Sequence, residues 1–252
     1  MIDLKDVVYH YESHKAVDTV SFQVQQGEKV ALLGSNGSGK STLLRILAGL
    51  YFSKSGEYYF ENNLVQKKSV SKHFREKVGI LFQNPDSMII NPTVRDEIAF
   101  SLKEFNREES EQKVLEIAKK FNIEDLLDKN PLSLSGGQKQ KVILAAIMVY
   151  EPALLLLDEP TSAMDPKTTG WFIDTILDFD TTTILATHDL SLAYESCDRA
   201  IVIDEKHQKI FDGKIETLFE NLELLEKANL IHKHKHKHEH KSFVHSHYHL
   251  HY

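Results

Sequence analysis

The sequence predicts an α/β fold, with a mostly parallel, twisted sheet that carries helices on both sides, an antiparallel sheet near the N-terminus and an inserted helical subdomain. Three observations support this prediction. A short apolar run, a glycine-rich loop and a helical stretch follow one another over residues 29–50. Two later apolar runs, over 153–157 and 183–186, lack alternation, which is typical of parallel strands covered on both faces. Residues 84–150 change to a helical pattern.

The first elements come from the N-terminal quarter of the chain. Within the first 25 residues Val20, Phe22 and Val24 alternate with polar residues, which predicts a half-buried strand. The apolar run 29–33 predicts a strand that enters the glycine loop. The stretch 41–50 predicts a helix whose inward side chains are Leu43, Leu44, Leu47 and Leu50.

Further elements follow along the chain. Residues 108–121 predict a helix with an apolar face, which 123–127 continue; that face comprises Val114, Ile117, Ala118 and Phe121. The runs 199–204 and 208–211 flank Lys206 and His207 and predict a hairpin. We expect one domain over residues 1–230, with its helical subdomain at about 84–150. Residues 231–252 are histidine-rich and of low complexity, which predicts a flexible tail.

The composition is that of an ordinary globular protein, and it argues against nucleic-acid binding. The chain is 41% hydrophobic and 27% charged, with a net charge of −7, whereas general nucleic-acid binders are usually basic. Cys197 is the single cysteine, so we expect a reducing compartment and a buried thiol. No apolar stretch approaches the roughly 20 residues that span a bilayer. We expect a cytoplasmic protein, and at a membrane other chains would supply the spans.

The glycine-rich loop has the spacing of a phosphate-binding loop. Its glycines let successive backbone N–H groups point at phosphate oxygens, Lys40 can reach the terminal phosphates, and the Ser41 hydroxyl can ligate Mg²⁺. A chance glycine-rich turn is the alternative, but a strand before the loop and a helix after it favour the phosphate site. The loop comprises Gly34, Ser35, Asn36, Gly37, Ser38, Gly39, Lys40 and Ser41, followed by Thr42.

Asp158 and Glu159 come directly after four leucines, at the carboxyl end of a predicted buried strand. Open α/β sheets bind their ligands at this edge, so Asp158 can hold Mg²⁺ through water. Glu159 is suited to polarise an attacking water. The alternative is a solvated acidic turn ahead of Pro160.

The LSGGQ run that begins at Leu134 is a second candidate phosphate-binding element. Its adjacent glycines and hydroxyl stand just ahead of a long helical stretch, where backbone N–H groups and the helix dipole favour phosphate oxygens. A glycine turn that caps a helix is the alternative. One nucleotide needs only one phosphate loop, so two elements indicate ATP held between two surfaces. The residues involved are Ser135, Gly136, Gly137 and Gln138.

With these three elements in order, residues 1 to about 230 resemble an ATP-binding cassette (ABC) ATPase, which has a P-loop NTPase core. The resemblance implies that Gln83 senses Mg²⁺ and the γ-phosphate, that Asp165 crosses to an opposite subunit, and that His188 contacts the γ-phosphate. Tyr11 occupies the place of the aromatic ring that lies under adenine, with Tyr9 as its competitor.

A narrower resemblance lies in the segments 82–86, 92–94, 97–100 and 224–230. These are similar to the ATPases of energy-coupling-factor importers and of the related cobalt and nickel importers. That group takes up vitamins or transition-metal ions through small membrane proteins.

The resemblance implies an assembly and a reaction. Two chains would face head to tail, with Lys40, Ser41 and Asp158 of one holding MgATP against Ser135, Gly137 and Gln138 of the other. We take the second chain as a second copy, although the sequence leaves a different ATPase chain open. Integral membrane subunits would place the pair at the cytoplasmic face of the membrane. A soluble ABC ATPase, a metal-storage protein and an exporter are the alternatives, and the importer is favoured.

The tail contains nine of the chain's 14 histidines, most of them one residue apart. Neutral imidazole is a good ligand for nickel, cobalt, copper and zinc, so the tail predicts loose binding of a transition metal and favours nickel or cobalt as cargo. Interleaved lysines would weaken such a site. A purification tag, a cationic tail near lipid headgroups and an unconstrained terminus are the alternatives. The histidines are His232, His234, His236, His238, His240, His245, His247, His249 and His251.

Overall fold

The computed structural model describes residues 1–105, 110–237 and 244–250, with side chains described over 1–105 and 111–231. These residues contain strands at β1 (Ile2–Tyr11), β2 (His14–Val24), β3 (Lys29–Leu33), β4 (Ser55–Phe60), β5 (Asn63–Leu64), β6 (Val78–Leu81), β7 (Leu154–Asp158), β8 (Thr182–Thr187), β9 (Arg199–Ile203), β10 (Lys209–Lys214), β11 (Ile231–Lys237) and β12 (Val244–Leu250). They contain α-helices at α1 (Lys40–Leu47), α2 (Lys72–Lys77), α3 (Val94–Glu104), α4 (Ser110–Phe121), α5 (Gly136–Met148), α6 (Pro166–Leu177), α7 (Leu190–Ser196), α8 (Ile215–Phe219) and α9 (Leu222–Lys227).

Two main sheets form the fold. The central sheet has the order β10-β9-β3-β8-β7-β6, and all its strands are parallel except β10, which pairs antiparallel with β9. The second sheet, near the N-terminus, has the order β2-β1-β4-β5 and is antiparallel. The predicted fold class is therefore observed.

The central sheet separates two hydrophobic cores. Along β7, Leu155 and Leu157 belong to the core shared with α5 and α6, whereas Leu154 and Leu156 belong to the core shared with α1 and the antiparallel sheet. All four leucines are fully buried. Each such side chain stabilises the fold by about 1.5–3 kcal/mol, and this two-sided burial explains the absence of alternation in the sequence of β7.

The first predicted helix ends sooner than its sequence pattern indicated. α1 stops at Leu47, and Gly49 follows in the left-handed region at φ +68°. Leu43, Leu44 and Leu47 are buried as predicted, but Leu50 is 51% exposed. The prediction of an inward Leu50 is wrong because the helical periodicity has already ended when the chain reaches it.

Helical elements occupy the described residues between Gln83 and Glu151. They comprise α3, α4 and α5, with short 3-10 turns at Pro85–Ser87 before α3 and at Glu124–Leu126 and Pro131–Ser133 between α4 and α5. The predicted apolar face of α4 is buried. The first two residues of the predicted helix 108–121 lie outside the described residues. Within the described parts of the chain, no helix combines the length and apolarity needed to cross a membrane.

Before the tail, two strand regions among the described residues have no counterpart among the predicted elements. One is the β4–β5 pair of the N-terminal sheet. The other is β6, a four-residue edge strand whose sequence is Val-Gly-Ile-Leu. A Cβ on Gly79 would lie 2.4 Å from Cγ2 of Ile147, so α5 packs directly on the β6 backbone. A strand this short, with a glycine at its packing point, carries little periodic signal.

A buried carboxylate shapes the loop that precedes α3. Glu97 is only 5% exposed, and its Oε2 accepts hydrogen bonds from the backbone N–H groups of Ile90 and Asn91, at 3.0 and 2.8 Å. These bonds hold the loop in place while the side chain of Ile90 remains 64% exposed. An apolar side chain is thereby presented on a fixed loop.

Part of the tail that the sequence predicts to be flexible forms a β-hairpin in the structure. β11 and β12 pair antiparallel, with His232 opposite His249, His234 opposite His247 and His236 opposite His245. Strict alternation of two residue types is a strand pattern, whereas the prediction rested on composition alone. His238, His240 and His251 lie outside the described residues.

Candidate nucleotide-binding site

Four adjacent parallel strands deliver the predicted site residues to one edge of the central sheet. The phosphate loop follows β3, His188 follows β8, Asp158 ends β7 with Glu159 next, and Gln83 lies two residues after β6. Carboxyl ends of parallel strands lie at the same edge, which is where open α/β sheets bind ligands. The sheet therefore gathers residues that are far apart in the sequence.

The phosphate loop is shaped by close backbone contacts. Gly39 has φ +108°, and a Cβ there would lie 2.0 Å from the carbonyl oxygen of Ala16, so only glycine fits. Lys40 begins α1 and is 5% exposed. Its Nζ donates to the carbonyl oxygens of Gly34 and Ser35, at 2.7 and 3.1 Å. The ammonium group is thus held inside the curve of the loop.

The loop has the chemistry to hold an anion. Burial lowers the pKa of Lys40, although Glu159 and Asp158 oppose this effect. A nearby phosphate would favour the charged ammonium. The hydroxyls of Ser35 and Ser38 are buried without a hydrogen-bond partner among the described residues. Buried hydroxyls need partners, and phosphate oxygens are suitable acceptors, so the residues present fit a nucleotide phosphate.

Asp158 and Ser41 form the part of the site that fits Mg²⁺. The Ser41 Oγ donates to Asp158 Oδ1 at 2.9 Å. Burial raises the pKa of Asp158, which is 3% exposed, while the bond from Ser41 lowers it. A cation would offset the desolvation of this carboxylate, and a carboxylate with a hydroxyl is an oxygen donor set that Mg²⁺ accepts.

Glu159 is oriented by the last residue of β8 and the residue that follows it. His188 Nδ1 lies 2.8 Å from Glu159 Oε1, and the Thr187 hydroxyl donates to Oε2 at 3.0 Å. The backbone N–H of Asp189 donates in turn to the Thr187 oxygen at 3.0 Å. Glu159 has a left-handed backbone, φ +45°, a strained conformation that occurs often at functional sites. Both carboxylate oxygens are therefore fixed in direction.

A cavity of about 520 Å³ is lined by the phosphate loop, Gln83 and Glu159, whereas Asp158 and His188 are not among its lining residues. This volume is within the usual range for small-molecule sites, about 300–1,000 Å³. The cavity includes most of the phosphate loop, Gln83 from the end of β6 and Glu159 from the end of β7. Its lining residues are Tyr11, Lys15, Ala16, Asn36, Gly37, Gly39, Lys40, Ser41, Thr42, Gln83, Glu159 and His207.

Of the two candidate tyrosines, Tyr11 lines the cavity and Tyr9 does not. The Tyr11 hydroxyl lies 3.2 Å from Thr42 Oγ1, and its ring is 41% exposed. Tyr9 instead stacks on Tyr51, with ring centroids 5.2 Å apart and planes 1° apart. Tyr11 meets both rings edge-on, so its position is set by a cluster of three tyrosines.

The LSGGQ segment lies elsewhere on the chain's surface. Ser135 is the N-cap of α5: its Oγ accepts from the Gln138 N–H at 3.4 Å, and Gln138 Oε1 accepts from the Ser135 N–H at 3.0 Å. A Cβ on Gly136 would lie 3.1 Å from Cβ of Ala163, so the segment packs on the loop before α6. Asp165 caps α6 in that same loop. None of these residues lines the cavity.

Thr187, Tyr51 and His207 belong to the site but were not among the predicted site residues. Thr187 and Tyr51 act through Glu159 and Tyr11, and a sequence carries no direct signal for such contacts. His207 lines the cavity from the turn before β10. The prediction of a hairpin around Lys206 and His207 located this turn but did not connect it to the phosphate loop.

Three similarities place this geometry in a family. A model of the ABC transporter family matches residues 17–162. The energy-coupling factor transporter ATP-binding protein EcfA1 of Mycoplasmopsis synoviae is 40% identical over 239 residues, which cover 91% of this chain and 89% of that protein. The structure of cbiO1 from Clostridium perfringens, described as part of the ABC transporter complex cbiONQ, has a TM-score of 0.76 and 30% identity, covering 91% of this chain and 94% of cbiO1.

A dimeric cassette is also similar. The ATP-binding cassette MJ0796, in a dimeric post-hydrolysis state bound to ADP and Pi, has a TM-score of 0.76 and 28% identity, covering 85% of this chain and 99% of that one. The predicted resemblance to ABC ATPases of the energy-coupling-factor and cobalt-importer type is confirmed by these relatives. The chain belongs to the ABC transporter family and is an ATP-binding subunit with ATPase activity.

Proposed function

We propose that this ATPase energises uptake of a transition-metal ion, nickel or cobalt, through separate transmembrane subunits at the cytoplasmic face of the membrane. The choice of cargo rests on the tail, because nine histidines lie within the last 21 residues of the chain. Similarity to a protein described as part of the cbiONQ complex supports the dependence on other subunits.

The tail offers a concentration of nitrogen ligands next to the ATPase core. β11 and β12 pair histidine positions with histidine positions three times along the hairpin. Imidazole nitrogen suits nickel and cobalt, and binding requires the unprotonated ring, so retention of the ion would fall at acidic pH. The hairpin begins at Ile231, which is buried in the same core as α8 and α9. This anchorage keeps the ligands close to the ATPase domain.

The active unit in this proposal is a head-to-tail dimer. Within one chain the cavity receives the phosphate loop but neither Ser135 nor Gly137. A second chain placed head to tail would bring its own LSGGQ segment over the γ-phosphate. The dimeric state of the similar cassette MJ0796 supports this arrangement. Because Gly136 packs on Ala163, the LSGGQ segment and the loop of Asp165 would meet the opposite nucleotide together.

In this proposal, hydrolysis uses residues from each part of the site. Ser41, Asp158 and Gln83 would hold Mg²⁺, which when bound offsets the negative charge of the phosphates. Lys40 binds the terminal phosphates at the start of α1. Glu159 accepts a proton from the attacking water, because both its oxygens are already aimed by Thr187 and His188.

The helical region would transmit the closure of the two ATPase chains to the membrane subunits. Gln83 lines the cavity, and the loop that Glu97 holds in place follows it in the chain. That loop presents Ile90, which is 64% exposed. Binding of the γ-phosphate at Gln83 would move this apolar side chain, and differential contacts in the open and closed states supply the work.

Replacement of Glu159, the proposed general base, should reduce ATP hydrolysis without preventing ATP binding. Glu159→Gln keeps the shape of the side chain but removes its proton affinity, so we expect ATP hydrolysis to fall about 100-fold or more. ATP binding by calorimetry should persist, and an ATP-dependent dimer should appear in size-exclusion chromatography. Glu195→Gln, at an exposed position of α7, is the matched control. Undiminished hydrolysis by Glu159→Gln would remove Glu159 from this role.

Mixing two inactive variants tests the shared site. In a head-to-tail dimer of Lys40→Ala with Ser135→Arg, one site carries both changes and the other carries neither. Half of the dimers in an equal mixture are mixed, so phosphate release should recover to at most about a quarter of the unmodified rate. Each variant alone is the control. If native mass spectrometry finds mixed dimers and the mixture stays inactive, the two-chain site is wrong.

The tail is tested by changing its ligands without changing its length. With all nine tail histidines replaced by glutamine, we expect calorimetry to show weaker binding of Ni²⁺ and Co²⁺ while ATPase activity is unchanged. A chain that stops after Ile231 should behave in the same way. In the control variant, the tail lysines are replaced by glutamine and the histidines are kept. Loss of the positive charges should leave metal binding equal or tighter. The lysines replaced are Lys233, Lys235, Lys237 and Lys241. Metal binding unaffected by the histidine changes would contradict a tail site.

Cargo is tested by the partners that the intact chain retains. Affinity purification from detergent-solubilised membranes, followed by mass spectrometry, should recover integral membrane proteins of metal-transporter type. The Ile231 truncation serves as a control, because the core and its docking loop remain. Recovery of a vitamin-binding membrane protein would overturn nickel or cobalt and leave vitamin uptake as the cargo.

A further inference from the structure

β9 is the fifth parallel strand of the central sheet, and the turn after it carries a residue that none of the recognised motifs includes. The carboxyl ends of β3, β8, β7 and β6 all lead into residues of the nucleotide site. β9 lies next to β3 in the sheet and ends at Ile203, before the turn formed by residues 204–207. Its carboxyl end therefore lies beside the phosphate loop.

His207 of this turn contacts the phosphate loop directly. Its Nδ1 lies 3.0 Å from the carbonyl oxygen of Ser38, and a Cβ on Gly39 would lie 3.8 Å from the same nitrogen. The backbone carbonyl of His207 accepts from the Asp18 N–H at 2.9 Å. His207 also lines the cavity that contains Lys40. One residue thus joins β2, the phosphate loop and the cavity.

The turn that holds His207 is rigid. Oδ1 of the buried Asp204 accepts from the backbone N–H groups of Lys206 and Gln208, each at 3.0 Å. The His207 N–H donates to the Asp204 carbonyl at 3.0 Å, and Gln208 Nε2 donates to Asp18 Oδ2 at 3.0 Å. A ring fixed in this way is preorganised for a ligand, since little freedom is lost on binding.

The backbone conformation of His207 would suit a glycine better. Its φ is +64°, in the left-handed region that glycine adopts without steric cost. Strained residues of this kind cluster at functional sites, where the surrounding structure holds them. The strain, the contact with Ser38 and the place in the cavity are independent observations.

The proton positions follow from the contact with Ser38. A carbonyl oxygen can only accept, so Nδ1 of His207 carries the hydrogen. In a neutral imidazole the other nitrogen, Nε2, is then an acceptor. Among the described residues no hydrogen bond to this Nε2 is present. A ligand at this point must therefore offer a donor.

We propose that Nε2 of His207 accepts a hydrogen bond from a ribose hydroxyl of the bound nucleotide. Phosphate oxygens are acceptors and do not suit an acceptor nitrogen, whereas the ribose hydroxyls are donors. The adenine amino group is the other donor of ATP, but the base is assigned to the ring of Tyr11. The inference rests on the ATP site of this chain and makes His207 a specificity-determining residue for ribonucleotides.

The test compares nucleotides that differ by one group. Calorimetry at mildly alkaline pH would measure the binding of ATP, 2′-deoxy-ATP, 3′-deoxy-ATP, inosine triphosphate and tripolyphosphate. A single hydrogen bond predicts that the unmodified chain binds ATP about three- to tenfold more tightly than at least one deoxynucleotide. His207→Gly suits the left-handed backbone, so it should fold normally, bind tripolyphosphate as before and lose the preference for ATP over deoxy-ATP.

The controls separate this role from others. His207→Asn also tolerates the backbone but is too short to reach the sugar, so it should behave like His207→Gly. Lys206→Ala, at an exposed position of the same turn, should keep the ribose preference. The proposal is overturned if the unmodified chain does not distinguish ATP from either deoxynucleotide, or if His207→Gly keeps the distinction. The proposal is also overturned if His207→Gly loses tripolyphosphate and ATP binding equally, because His207 would then only support the phosphate loop. It is overturned as well if only the discrimination between ATP and inosine triphosphate changes, because His207 would then contact the base.

Discussion

The central sheet is buried on both faces, and its parallel strands are held between two separate hydrophobic cores. β3 shows the constraint: Ala31 and Leu33 face one core, whereas Val30 and Leu32 face the other. A strand held in this way cannot rotate or slide without exposing apolar surface. The residues at its carboxyl end are consequently fixed as well. The glycine-rich phosphate loop that follows β3 can therefore keep one conformation.

Electrostatics in the site depend on that burial. Lys40, Asp158 and Glu159 are all buried within a few ångströms of the loop, and Lys40 Nζ lies 3.8 Å from Glu159 Oε1. Burial lowers the pKa of Lys40 and raises that of Asp158, so the charged forms of both are disfavoured. A phosphate with a bound cation compensates both effects at once. The protein therefore holds charges whose desolvation is offset in part by one another and further by the ligand that they bind.

Much of the fold and site could be predicted because the determining signals are local. The strand 29–33 was predicted with the bounds of β3, and the leucine run located β7, since apolar runs reflect burial on both faces. The phosphate loop was predicted from its glycine spacing and its flanking elements, and the Asp158–Glu159 pair from the leucine run that precedes it. In each case the residue types needed for the chemistry are contiguous in the sequence.

The remaining features depend on contacts between distant segments. Gly79 marks the place where α5 approaches β6, but a lone glycine does not identify its partner. Leu50 matched the helical period although Gly49 had already ended the helix. The three-tyrosine cluster and the contact between His207 and Ser38 exist only after the sheets have formed. Sequence periodicity describes faces of single elements and not which elements meet.

The two-sided burial of β7 also restricts how the chain can change in evolution. Leu154 to Leu157 alternate between the cores, so deletion or insertion of one residue in this strand would exchange every side chain between layers and turn Asp158 away from Ser41. Changes in chain length are consequently confined to surface connections, such as those that link the helices between Gln83 and Ser135. These connections can change as partners change, while the strands that end at the nucleotide site keep their length.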